Sequence, residues 1–241
     1  MKLLNLFLLG FIIFLNPWNT HAQSNKFNLG IGYNAGTHLK TGGLDFVIGR
    51  YNETRSYLSK TMNKPRFFRG INLAMELFYK NGLANFEWVV RKSDMSAETN
   101  DTTGNTQQRD LRLKMNTFNM GYAYKLTKNE ESSMGSYVGM DFSTISVKTY
   151  TRVFQNGGSS GEYSRIDWKM SIGFSPFFQY VANRYTAKVY CQFMISKANY
   201  WDENVRINPN TWYDDSYENN KGKSISTGLC VRYNVFQNKK K

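Results

Sequence analysis

Cysteine and histidine are nearly missing from this chain of 241 residues, with two of each. Cys191 and Cys230 are too few for a disulfide framework, even in an oxidising compartment. They fall on opposite parities of neighbouring alternating segments, which disfavours a bridge between them. The histidines are His21 and His38, and His38 stands in "GTHL" with no adjacent Ser or Asp motif. Chemistry that needs an imidazole with an orienting partner therefore has little to work with, and His38 reads as a rim residue. Proline is also scarce, with four residues, which permits long unbroken strands. Beyond residue 22 no apolar run approaches the roughly 20 residues a spanning helix needs, so any membrane crossing falls to strands.

What is present begins with the leader, "MKLLNLFLLGFIIFLNPWNTHAQS". One lysine precedes an apolar run from Leu3 to Leu15, broken only by Asn5 and Gly10, and Thr20-x-Ala22 precedes Gln23. This is the layout of a signal peptide, 1–22, cleaved after Ala22, and it predicts a single domain over 23–241. The formal net charge of +13 suits either nucleic acid or an anionic lipid surface. Export excludes nucleic acid.

Strict two-residue alternation then recurs along the whole chain. It predicts eight strands, near 27–38, 67–80, 83–93, 110–127, 135–152, 164–181, 186–198 and 222–236. The connections alternate in length. Asn81-Gly82, 128–134 and 182–186 are short, whereas 39–66, 94–109 ("DMSAETNDTTGNTQQR"), 153–163 and 199–221 are long and polar. Short turns at one end and long loops at the other are the plan of an all-β, eight-stranded antiparallel up-and-down transmembrane barrel, with turns in the periplasm and loops outside.

The two faces of the strands support that plan. One set of alternate positions holds Leu29, Ile31, Tyr33, Leu73, Trp88, Phe118, Met140, Ile172, Val189, Leu229 and Val231, with no charge. The other holds Gly30, Gly32, Asn34, Gly70, Asn72, Gly121, Gln179 and all the strand-core charges: Glu76, Glu87, Arg91, Lys125, Asp141, Lys169, Lys188 and Arg232. Small residues, amides and paired charges suit a narrow interior, and a cation facing mid-membrane lipid would cost about 2–4 kcal/mol. Glu76 and Glu87 across the Asn81-Gly82 turn have the makings of a catalytic carboxylate pair. Neutralisation by the interior cations makes a structural salt-bridge lattice the better reading.

Basic residues gather toward the outer strand ends. Arg69, Lys92, Arg112, Lys114, Arg152, Arg165, Lys197 and Lys223 form an expected girdle facing the phosphates of outer-membrane lipid and lipopolysaccharide. In the first long loop, "GLDFVIGRYNETRSYL" places Leu44, Val47, Ile48, Tyr51 and Leu58 near one helical stripe. This predicts a short helix that covers the barrel mouth, docks a partner or lies among lipid head groups. Asp202, Glu203, Asp214, Asp215 and Glu218 match no calcium-loop spacing and read as a solvated loop. No metal or cofactor is expected.

The leader, the alternating strands, the short turns, the long outer loops and the aromatic-rich last segment, "SISTGLCVRYNVF", together resemble the small OmpA-type and OmpX-type outer-membrane barrels. The resemblance covers nearly the whole mature chain and rests on pattern. It implies residence in the outer membrane of a Gram-negative bacterium and recognition of Tyr233 and Phe236 by the barrel-assembly machinery, although "QNKKK" follows Phe236 where the family ends on an aromatic. It also implies a non-enzymatic role, structural or binding a partner through the outer loops. Two other classes stay open, a lipid-modifying enzyme and a narrow pore or transport accessory.

Overall fold

The computed structural model describes residues 26–41, 44–100, 106–127, 133–155, 162–194 and 224–237. The expected leader and the acidic loop after 199 lie outside the described residues. The elements are β1 (Lys26–Thr41), α1 (Leu44–Glu53), β2 (Phe67–Tyr79), β3 (Gly82–Asn100), β4 (Thr106–Lys125), β5 (Gly135–Gln155), β6 (Ser164–Val181), β7 (Tyr185–Met194) and β8 (Ser224–Gln237). The strands pair antiparallel in sequence order, and β8 returns to β1 to close the barrel. Closure gives β1 a partner on both edges, with Ile31 opposite Leu73 on one side and Tyr233 on the other. The closed sheet therefore has no first or last strand that lacks a neighbour.

The alternation becomes an inside and an outside. Ile31, Tyr33, Ile71, Trp88, Phe142, Met170, Ile172, Val189 and Leu229 point out and are 47–59% exposed, far more than a soluble core position tolerates. Tyrosines crowd the short-turn end of this wall, where Tyr122 meets Tyr124 edge-on at 5.2 Å and Tyr185 meets Tyr233 at 5.5 Å. Inside, three layers follow one another. Phe78, Leu83, Ala123, Tyr137, Phe177 and Val181 fill the short-turn end, and buried charges and amides fill the middle. Phe68, Met95, Ala97, Leu111, Leu113 and Met115 fill the long-loop end.

Small residues sit directly across from the large polar ones. Gly32 opposes Arg232, Gly70 opposes Arg91, Gly121 opposes Asp141 and Ala74 opposes Glu87. An eight-stranded barrel is only just wide enough to be filled by side chains, so a long polar group needs a neighbour with none. Gly135 has a different reason: its φ of 144° is a conformation L residues rarely adopt, and it opens β5 directly over Thr127.

Two expectations need correction. The stretch 94–109, read as a polar loop, is instead mostly hairpin: β3 runs to Asn100 and β4 starts at Thr106, paired throughout from Gly82↔Tyr124 to Asn100↔Thr106. Inward-facing Met95, Ala97 and Leu111 supply the burial that holds it, although polar outward neighbours mask their beat. A proline inside a strand removes a ladder donor and is expected to force a bulge or kink, and Pro176 in "FSPFF" lies inside β6. The register of β6 with β5 runs unshifted through Met140↔Pro176, and the pairing with β7 simply skips Ser175 and Pro176 between Phe174↔Phe193 and Phe177↔Tyr190. The missing donor is accommodated by a gap in one ladder.

The small-opposite-large rule is testable at Gly121, where an added Cβ would lie 2.1 Å from Asp141 Oδ1. Gly121→Val is expected to destabilise the folded barrel by about 1–3 kcal/mol, the usual range for overpacking. Thr144→Val, on the outward face, should leave stability near wild type. Urea titration of the refolded chain in lipid vesicles measures both, and equal midpoints for the two variants would contradict the rule.

Candidate functional site

The middle layer draws one polar side chain or more from every strand. Arg232 of β8 lies between two carboxylates, donating from Nη2 to Glu76 Oε1 and from Nη1 to Glu87 Oε1, each at 2.5 Å. Lys188 of β7 donates to Glu87 Oε2 at 2.8 Å and Asp141 Oδ2 at 2.6 Å. The remaining lone pairs are taken by amides. Asn28 of β1 and Gln179 of β6 donate to Glu76, Asn119 of β4 to Glu87, and Asn85 of β3 to Asp141. Each of the five charged side chains is at most 3% exposed.

A sixth charge, Arg91, sits one layer nearer the long loops. Its partners are neutral: Tyr190 Oη at 3.1 Å, Thr117 Oγ1 at 2.7 Å and Gln192 Oε1 at 2.7 Å, with the Phe68 ring 4.9 Å from its guanidinium carbon. Ser143 links the layers, receiving a hydrogen bond from Gln192 and donating to Asn119. Three carboxylates and three cations therefore share this part of the lumen, formally neutral. In a low-dielectric interior an unmatched charge would cost several kcal/mol, so balance is the condition for keeping any.

Of the other two interior cations in the sequence reading, Lys125 is half-buried in the last pair of β4 with β5, at the short-turn end. Lys169 pairs its backbone with Val147, and its side chain lies outside the described residues. Glu76 and Glu87 are not directly opposite; Glu76 pairs with Asn85 and Glu87 with Ala74, and Arg232 spans the diagonal. Both carboxylates are held by cations, an arrangement suited to locking strands together and poorly suited to proton shuttling. His38 turns inward beside Phe68, ring centroids 4.9 Å apart, and is buried rather than presented at the rim. Cys191 and Cys230 are free thiols. Sequence reading overlooked Tyr190 and Phe68, whose aromatic character resembles the outward set. Only their parity, Tyr190 between Lys188 and Gln192, marks them as interior.

At the long-loop end, α1 buries Leu44, Ile48 and Tyr51 in the same apolar cluster as Phe68, Met95, Leu111 and Leu113. The helix therefore covers the barrel mouth. Its following loop is anchored by Asn52, which donates to Met62 O and accepts from Met62 N, and by Lys60, which ion-pairs with Glu98 of β3 at 2.5 Å. That contact also covers the edge of β3 beyond the end of β2. On the outer wall, Arg69, Lys92, Lys114 and Arg165 are exposed. Arg112 pairs with Asp94 and Arg152 with Asp110, and both stack over Tyr163 at 4.2 and 4.3 Å. Lys197 and Lys223 lie outside the described residues.

Lys188→Met removes the cation shared by Glu87 and Asp141 while keeping much of its length. The expected loss is about 3–5 kcal/mol of barrel stability, the cost of stranding buried charge. Adding Asp141→Asn should recover part of it, because one stranded carboxylate disappears. Denaturant midpoints of the two single variants and the double variant give the coupling, and strict additivity would contradict a shared network.

No family model matches the chain and no curated protein matches it. Among solved structures it is similar to Ail, the attachment invasion locus protein of Yersinia pestis. In complex with the heparin analogue sucrose octasulfate, that protein is 10% identical, with 88% of this chain and 99% of the other covered and a TM-score of 0.37. A second Ail structure gives 13% identity, the same coverage and a TM-score of 0.37. The outer membrane protein OprG from Pseudomonas aeruginosa is 10% identical, with 88% and 94% covered and a TM-score of 0.40.

Proposed function

We propose that this chain is a non-enzymatic integral outer-membrane barrel of a Gram-negative bacterium, with a filled lumen and an outer end that binds a partner or ligand. The observation that carries the reading is the outer wall. Between the tyrosines of the short-turn end and the cations of the long-loop end, no described outward strand position is charged. On a water-facing barrel such a band would be a continuous exposed apolar surface far beyond what soluble monomers show. In a bilayer it is the solvent-matched face, with tyrosines at one interface and cations at the other.

The lumen supports this reading over the pore alternative. Six charges, their amide partners and two apolar layers occupy it, and α1 covers the mouth. The enzyme alternative needs a free acid, base or nucleophile in reach of the outer leaflet. His38 is buried beside Phe68, and the carboxylate pair is neutralised by Arg232 and Lys188. The surfaces available for recognition are the extended β3–β4–β5 wall, which stands beyond the end of β2, and the loops at that end. Insertion by the barrel-assembly machinery and contact with lipopolysaccharide belong to the same reading.

Expressed with its leader, the protein is expected in the outer-membrane fraction, and unheated it should migrate faster on a detergent gel than after boiling, because a closed strand ladder resists detergent. Reconstituted in planar bilayers it should give no steady ionic conductance. A soluble periplasmic monomer would overturn the membrane reading, and reproducible open channels would overturn the filled lumen.

A further inference from the structure

Four outward cations fall in one straight row across four strands. Arg69 of β2 is paired with Lys92 of β3, Lys92 with Lys114 of β4, and Lys114 with Lys148 of β5. Directly opposed positions bring side chains to within reach of one another, and like charges there destabilise a sheet. Three successive like-charge pairs are a standing cost. Among the described residues no carboxylate forms an ion pair with any of the four, and Asp94, two residues beyond Lys92, is engaged by Arg112. The row spans about 14 Å, three inter-strand spacings.

What lies around the row narrows its partner. A groove of about 500 Å³ runs along this wall, lined by Arg69, Lys92, Arg112 and Lys114 at one end and by Tyr33, Ile71 and Val90 at the other. The next paired row on the membrane side, Ile71↔Val90↔Asn116↔Ser146, carries no charge, and the one after it begins Leu73↔Trp88↔Phe118. The cations thus stand at the upper border of the apolar band, over a groove with an apolar floor. A soluble polyanion would use the cations and leave the floor empty. A lipid bearing phosphate on its head group uses both.

Resting on the membrane reading above, we propose that the Arg69–Lys92–Lys114–Lys148 ladder is a specific site for a phosphorylated lipid of the outer leaflet. The phosphates lie across the four cations, and an acyl chain follows the groove past Ile71 and Val90. The site is one-sided, on the β2–β5 wall. It replaces the even ring of contacts that a basic girdle implies, and the neutral ladder the strands lack is supplied by the lipid.

The test uses the full mature chain refolded in zwitterionic micelles, with bisphosphorylated lipid A, dephosphorylated lipid A and inorganic pyrophosphate as probes. Native mass spectrometry is expected to show wild type retaining one bisphosphorylated lipid A, with K92Q/K114Q weakened at least tenfold and R165Q, outside the ladder, nearly unchanged. Without lipid, K92Q/K114Q should unfold at higher urea than wild type at low salt, and bisphosphorylated lipid A should erase that gain. Equal retention of the dephosphorylated lipid, equal weakening by R165Q, or full displacement by millimolar pyrophosphate would each overturn the proposal. The heat-dependent gel shift of the same variants reports the barrel separately, so a failed ladder with an intact shift leaves the membrane reading standing.

Discussion

The pairing of β1 with both β2 and β8 is the constraint from which the rest of this structure follows. Once the sheet closes on eight strands, the diameter is set, and the interior is a narrow tube that side chains must fill without voids. Residues along each strand then have only two destinations. Outward positions meet whatever surrounds the barrel, and inward positions meet one another across a few ångströms. The absence of charge on one parity and its concentration on the other are two consequences of one closure.

Inside the tube, polar groups are tolerable only as a complete set. Arg232 and Lys188 lie between Glu76, Glu87 and Asp141 so that every carboxylate is matched, and amides from β1, β3, β4 and β6 complete the hydrogen bonding. Such a network is not obviously more stabilising than an apolar core of equal volume. What it adds is register. A strand that slips by two residues separates Arg232 from both its carboxylates, and in one direction it sets that long side chain against Asn34 instead of Gly32. The charged layer thus specifies which residues pair, and the apolar layers above and below it supply most of the burial.

How far this was legible in the sequence follows from which interactions are local. Alternation is a property of single strands, so the eight strands, the two faces and the inward set around Glu76, Glu87, Asp141, Lys188 and Arg232 could be read directly. The stripe Leu44, Ile48 and Tyr51 predicted α1 for the same reason, since a helical face repeats within one segment. The extension of β3 to Asn100 was not readable, because its support comes from β4 and from Met95 and Ala97 packing inside. Cross-strand register is the other hidden quantity. That Arg69, Lys92, Lys114 and Lys148 share one row depends on three offsets that no single segment encodes, and the same holds for each glycine facing its charge.

The central claim is that the uncharged parity faces hydrocarbon, and depth-resolved quenching tests it most directly. In a chain lacking Cys191 and Cys230, single cysteines at Ile31, Met140, Ile172 and Leu229 are labelled with a small fluorophore after refolding into vesicles. Lipids brominated at defined acyl positions should quench all four labels, with iodide in the aqueous phase having little effect. Strong iodide quenching with no response to the brominated chains would show that this face meets water, and the account of the barrel as a membrane protein would fail.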